Sequence, residues 1–118
     1  MSEFEHSYAL VIGINEYSNE TSSLKTAVSD ATKIAHILET EHNYTVNLLL
    51  DRAANLSQLR QVLETELLKQ IQAGDRFILY FAGHGIALNG EDGPEGYLVP
   101  QNAKFGNVST YLSIWSLD

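Results

Sequence analysis

The chain has 118 residues, is 44% hydrophobic and contains no cysteine; seven Lys and Arg stand against fifteen Asp and Glu, for a net charge of −8. This size and apolar content predict one domain with a packed core. The missing cysteine excludes disulfides, zinc-thiolate sites and a cysteine nucleophile within these residues. The acidic balance argues against a nucleic-acid binder with a basic face and against docking to an anionic membrane.

The start, MSEFEHS, is polar and acidic, unlike a secretory signal. No apolar run approaches the roughly 20 residues that span a bilayer. A cytoplasmic protein is expected. Tyr8–Ile14 is a continuous apolar run with β-branched residues, which predicts a strand buried on both faces, as in a parallel sheet. Ala27, Ala31, Ile34, Ala35 and Leu38 then recur at helical spacing and predict an amphipathic helix of roughly 15 residues. Thr45–Leu50 is a second strand.

A second helix follows, with Asn55 or Ser57 as its N-cap, Leu56, Leu59, Leu63, Leu67 and Ile71 on one face, and Gly74 as its stop. Arg76–Ala82, apolar and aromatic, is the strongest strand signal and runs into Gly83-His84-Gly85. Strand and helix therefore alternate, which predicts an α/β fold with a parallel sheet and helices on its faces. Ile86–Gly96 holds three glycines, Pro94 and three acids and reads as a mobile surface loop. Tyr97–Pro100 is a short extended piece and Gln101–Gly106 a polar loop. Val108–Trp115 reads as extended, and Ser116 as the N-cap of a helix that would begin at the end of the chain.

Open α/β sheets carry function at the carboxyl ends of their strands. His84 lies just past such an end, between glycines that permit a sharp turn and close approach of a substrate. A histidine there suits general acid/base chemistry near neutral pH, and the Gly85 N–H suits a developing oxyanion. The plainer alternative is a histidine that caps a turn. Asp30, one turn into the first helix, compensates the helix dipole or, from the same sheet edge as His84, pairs with a basic substrate group.

His6, His36 and His42 read as solvated, and no histidine pair has zinc-helix spacing. Glu91, Asp92 and Glu95 do not follow the EF-hand pattern and read as a solvated acidic loop. Neither GxGxxG, GxxxxGK[ST] nor G-x-S-x-G occurs, which argues against dinucleotide, P-loop and serine-elbow functions.

YALVIGINEY, LKTAVSDA, GDRFILYFAGHG and GYLVPQNA, in that order and spacing, resemble the p20 region of caspase-like cysteine peptidases (peptidase C14). The similarity is greatest to the bacterial metacaspase or orthocaspase branch. The resemblance runs from about Tyr8 to Ala103 and implies a three-layer α/β/α caspase-like fold with a mostly parallel central sheet, of which residues 1–118 form the N-terminal part. His84 then matches the catalytic histidine and Gly85 the oxyanion-hole glycine. Asp30 matches the S1 acid that selects Arg or Lys at P1. Neither Arg52 nor Arg76 matches the basic S1 arginine of Asp-specific caspases.

The family's nucleophile is a Cys in a D-x-C-[HFY]-S-G context, and no such segment occurs here. The resemblance therefore implies a peptide substrate with a basic P1 residue and, as partner, the Cys-bearing remainder of the same domain; the 118 residues alone are expected to be inactive. No cofactor is assigned; the acids of the family's calcium site are not matched to particular residues here, which leaves calcium dependence open. The competing expectation is a non-catalytic pseudo-peptidase module that docks a partner strand at an open sheet edge. A flavodoxin-like or receiver-like domain would need phosphate-binding glycines or a phosphoacceptor pocket, which the sequence does not offer.

Overall fold

Seven consecutive residues, Ser7–Gly13, form β1, the middle strand of a parallel sheet of order β2-β1-β3. The computed structural model describes residues 5–18, 23–90 and 93–113. β1 lies between β2 (Thr45–Leu50) and β3 (Arg76–Ala82), in a register that sets Gly13 level with Leu50 and Ala82. The two strand boundaries read from the sequence for β2 and β3 coincide with these.

The central position explains the apolar run. Ala9 and Val11 pack with Ala31, Ala35 and Tyr44 on one face, while Leu10 and Ile12 pack with Leu59, Val62 and Leu67 on the other. Residues 9–12 have no exposed surface. Helices cover both faces, giving the expected α/β/α layering: α1 (Ala27–Glu41) on one side and α2 (Leu56–Gln61) with α3 (Leu67–Gln70) on the other.

Small residues let α1 approach the sheet closely. A Cβ on Gly13 would lie 2.6 Å from Ala31 Cβ and 2.7 Å from the Ala27 carbonyl oxygen, so only glycine fits where β1 passes under α1. The α1 N-terminus is capped from a distance: Thr26 gives no side-chain bond, and the Val28 N–H donates to Asn15 Oδ1 at 3.1 Å. Asn55 caps α2 as expected, accepting the Gln58 N–H at 2.9 Å. A π-turn over Val62–Glu66 joins α2 to α3. The helix ends at Gln70, ahead of the expected stop; Gly74, at φ +94°, instead turns the chain into β3.

Two expectations are corrected beyond β3. The segment read as a mobile loop is a hairpin: β4 (Gly85–Gly90) pairs antiparallel with β5 (Gly93–Leu98). Ladder bonds pair the backbone groups that β4 and β5 turn toward each other, and Ile86 and Leu88 are half-buried while Ala87 and Asn89 are exposed. Pro94 is tolerated because it faces Asn89, at a position that exchanges no bonds with β4. The segment read as wholly extended from Val108 begins with a 3-10 turn, Val108–Thr110, whose Tyr111 N–H bonds back to the Val108 carbonyl; a short β6 (Leu112–Ser113) then joins β5. The expected helix start at Ser116 lies outside the described residues, as do Glu91 and Asp92. Among the described residues, no helix is long and apolar enough to cross a membrane.

Candidate active site

The carboxyl edge of the parallel sheet collects the polar residues. β3 runs beside β1 as far as the Gly13–Ala82 row, and the Ile14 N–H donates to the Ala82 carbonyl at 3.0 Å. The chain then turns at Gly83, presents His84, and enters the antiparallel sheet at Gly85. His84 thus stands at the junction of the two sheets, half-buried.

Both sides of the His84 peptide are held. Its carbonyl accepts the Val99 N–H at 3.0 Å, and its N–H donates to Tyr17 Oη at 2.7 Å. The Tyr17 ring also packs against the imidazole, with centroids 4.9 Å apart and planes at 48°. Bonding alternates along an antiparallel ladder. Since His84 and Val99 form a bonded pair, Gly85 and Leu98 form the next, non-bonded one, and the Gly85 N–H points away from β5. Gly85 is exposed.

Asp30 lies in the first turn of α1, beside the end of β1 that Gly13 marks, and therefore at the same edge as His84. It is exposed, and among the described residues no hydrogen bond or ion pair engages its carboxylate. The structure thus sets His84 and Gly85 at one turn, and places Asp30 at the same edge on the α1 side.

Four residues that sequence reasoning passed over organise this edge. Tyr17, in the loop after β1, is only 9% exposed and belongs to the core packed around Leu10 and Ile12. Burial pushes its phenol pKa up, partly offset by the His84 N–H bond. Asp51, in the left-handed region at φ +48°, accepts the Asn15 and Glu16 N–H groups at 2.8 and 3.1 Å. Asn15 caps α1. Gln101, buried, donates from Nε2 to the Glu16 carbonyl and to Ser18 Oγ, both at 3.1 Å. The loop after β1 is thereby tied to the end of β2, the start of α1 and the turn after β5. An open cavity of about 710 Å³ borders it, lined by residues that include Glu16, Tyr17, Asp51, Arg52 and Gln101. The available signal was a polar Asn-Glu-Tyr run directly after a buried strand.

The remaining histidines lie elsewhere. His36 and His42 are exposed, as expected. His6 is exposed too, yet its Nδ1 lies 3.2 Å from Asp75 Oδ1 at the opposite, amino edge of the sheet. Glu5, His6 and Asp75 bring possible ligand atoms within 4.8 Å of one another. Both Asp75 oxygens are engaged, Oδ1 with His6 and Oδ2 by the Gln72 N–H at 2.9 Å, so the trio reads as a clasp between chain segments. The Gln72 N–H bond, and after it His6, hold the Asp75 carboxyl below its ordinary pKa. Of the acids in the hairpin, Glu95 accepts the Tyr97 hydroxyl at 2.9 Å.

Comparison with known proteins bears on this arrangement. The family model for the caspase domain of peptidase C14 matches residues 6–115. A protein of a Desulfuromonadales bacterium, named as a probable protease, is 29% identical over 128 residues; the match covers 93% of this chain and 16% of that protein. The crystal structure of a Geobacter sulfurreducens protein superposes with a TM-score of 0.74 at 21% identity, over 95% of this chain and 44% of that one, a likeness of fold.

Proposed function

Because the chain belongs to the peptidase C14 caspase-domain family, we propose that it supplies the histidine-bearing part of a cysteine endopeptidase that cleaves after Arg or Lys. The observation that carries this reading is the junction of β3 and β4, where His84 is fixed on both sides of its peptide and the adjacent Gly85 N–H is directed out of the ladder. The nucleophilic Cys comes from outside these 118 residues, none of which is a cysteine.

The thiolate of that Cys attacks the scissile carbonyl, and the Gly85 N–H donates to the oxyanion that forms. The tetrahedral intermediate collapses with cleavage of the C–N bond, and His84 gives its proton to the departing amine. His84 then takes a proton from water, whose oxygen attacks the thioester carbonyl; the carboxylic acid leaves and the thiolate is regenerated. The exposed carboxylate of Asp30 pairs with the P1 guanidinium or ammonium group.

The sheet offers a place for the missing part. Among the described residues β3 pairs only with β1, and its neighbouring residues Phe77 and Ile78, which point to opposite faces, are 36% and 38% exposed. A further strand beside β3 would satisfy its free edge.

The test is cleavage of matched fluorogenic peptides by the chain co-expressed with its Cys-bearing remainder. Arg-P1 and Lys-P1 peptides turn over at least ~100-fold faster than Asp-P1, and Asp30→Ala removes most of that preference. The 118 residues alone show no turnover. Arg-P1 cleavage unchanged by Asp30→Ala would remove Asp30 from S1. Cleavage by the isolated chain would contradict the placement of the nucleophile.

A second reading rests on the absent cysteine and the open β3 edge: a non-catalytic module that binds a partner strand. It predicts a chain that stays monomeric on size exclusion even when the Cys-bearing part is present, where the peptidase reading predicts that the two co-elute.

A further inference from the structure

A catalytic histidine must be held in one orientation, because proton transfer depends on distance and alignment. The β1–β3 ladder stops at the Gly13–Ala82 row, two residues before His84. Beyond it the His84 N–H is held from another direction. The phenol oxygen of Tyr17, 67 residues away in sequence, accepts it at 2.7 Å.

Three further observations point the same way. The Tyr17 ring lies against the imidazole at 4.9 Å, so one side chain touches both the backbone and the side chain of His84. Gly83 is the residue that permits this approach: a Cβ there would fall 2.6 Å from Tyr17 Oη and 2.8 Å from the Phe81 ring. Tyr17 is itself immobilised, being nine-tenths buried and carried on a loop tied by Asn15, Asp51 and Gln101.

We propose that Tyr17 is the positioning residue of the site, its hydroxyl fixing the His84 main chain and its ring walling the imidazole into one orientation. This rests on the reading of His84 as the acid/base. The elevated phenol pKa accords with it, since a neutral hydroxyl keeps a proton to donate elsewhere while a lone pair accepts the His84 N–H.

Nuclear magnetic resonance on the 118-residue chain tests the contact without any need for catalysis. Tyr17→Phe keeps the ring and removes the acceptor. The His84 amide then exchanges with solvent roughly tenfold faster, while amides in β1 keep their protection and the ring-current shift of the imidazole protons is retained. Tyr17→Leu removes the ring as well, and the imidazole resonances move toward random-coil positions. In the co-expressed peptidase both variants lower kcat with KM unchanged, Leu more than Phe, as expected when orientation rather than substrate binding is lost.

Unchanged exchange of the His84 amide in Tyr17→Phe overturns the proposal, and this variant decides the matter even where Tyr17→Leu fails to fold. Unchanged kcat for Tyr17→Phe alongside a His84-dependent enzyme overturns it as well. Cleavage indifferent to His84→Ala would instead overturn the acid/base reading, a result that leaves the resonance comparison untouched.

Discussion

The two sheets that meet at His84 are built on opposite principles. The parallel sheet is sandwiched: β1 shows no exposed surface over residues 9–12, and both of its faces meet helices. The antiparallel sheet is half-open. Along β4, half-buried Ile86 and Leu88 alternate with exposed Ala87 and Asn89, and Phe105 nearby is 76% exposed. The lesson is a division of labour. The sandwiched sheet sets where His84 stands, through β3 and the tied loop after β1, while the open sheet contributes the direction of the Gly85 N–H and leaves room beside it. Damage to the first should cost stability and damage to the second should not.

Leu10→Ala is the strongest way to break this contrast. Leu10 is fully buried, and its truncation should destabilise the chain by about 3 kcal/mol, against about 1 kcal/mol or less for Leu88→Ala in the hairpin. Urea unfolding midpoints of the two variants give the comparison directly, and equal losses would contradict it. Gly13→Ala comes next, at about 2 kcal/mol, because its new methyl meets Ala31 Cβ and the Ala27 carbonyl. A wild-type melting temperature for this variant would show that α1 can move away from β1.

Asn15→Ala removes the side chain that caps α1 and should cost about 1 kcal/mol. Circular dichroism melts resolve a change of that size. The smallest effect concerns pH. The Asp75 carboxyl titrates below its ordinary value in the folded chain, so its contribution is fully present above about pH 4. It is lost as pH falls through the lower, folded value. Asp75→Asn should therefore be less stable than wild type at pH 7, with the gap narrowing as the pH is lowered from 5 toward 2.5. A gap of constant size across that range would mean that the carboxyl charge is not what holds the amino-edge clasp.

Legibility from sequence followed the same divide. β1 announces itself because burial on both faces demands a long apolar run, and α1 by a clean helical period; β2 and β3 flank β1, only partly buried, and still read as apolar runs, so each of these signals is local. The hairpin was concealed by its own composition: Gly90, Gly93, Gly96 and Pro94 read as loop chemistry, although Pro94 sits where the ladder needs no N–H. His84 could be found because the strand ahead of it fixes its place. Tyr17 could not, since neither its burial nor its bond to His84 is encoded near residue 17; both depend on a partner brought beside it by β3. Asn15 and Asp51 are similar cases, polar residues whose bonds cross between strand ends that lie side by side in space and 36 residues apart in the chain.

The central claim is that the junction histidine moves the proton in a cysteine-dependent cleavage. The most direct measurement is kcat/KM for an Arg-P1 peptide, taken on the chain co-expressed with its Cys-bearing remainder and on the same pair carrying His84→Ala. A loss of about a thousandfold or more is predicted, with the fold unchanged by circular dichroism. A value within twofold of wild type would contradict the claim.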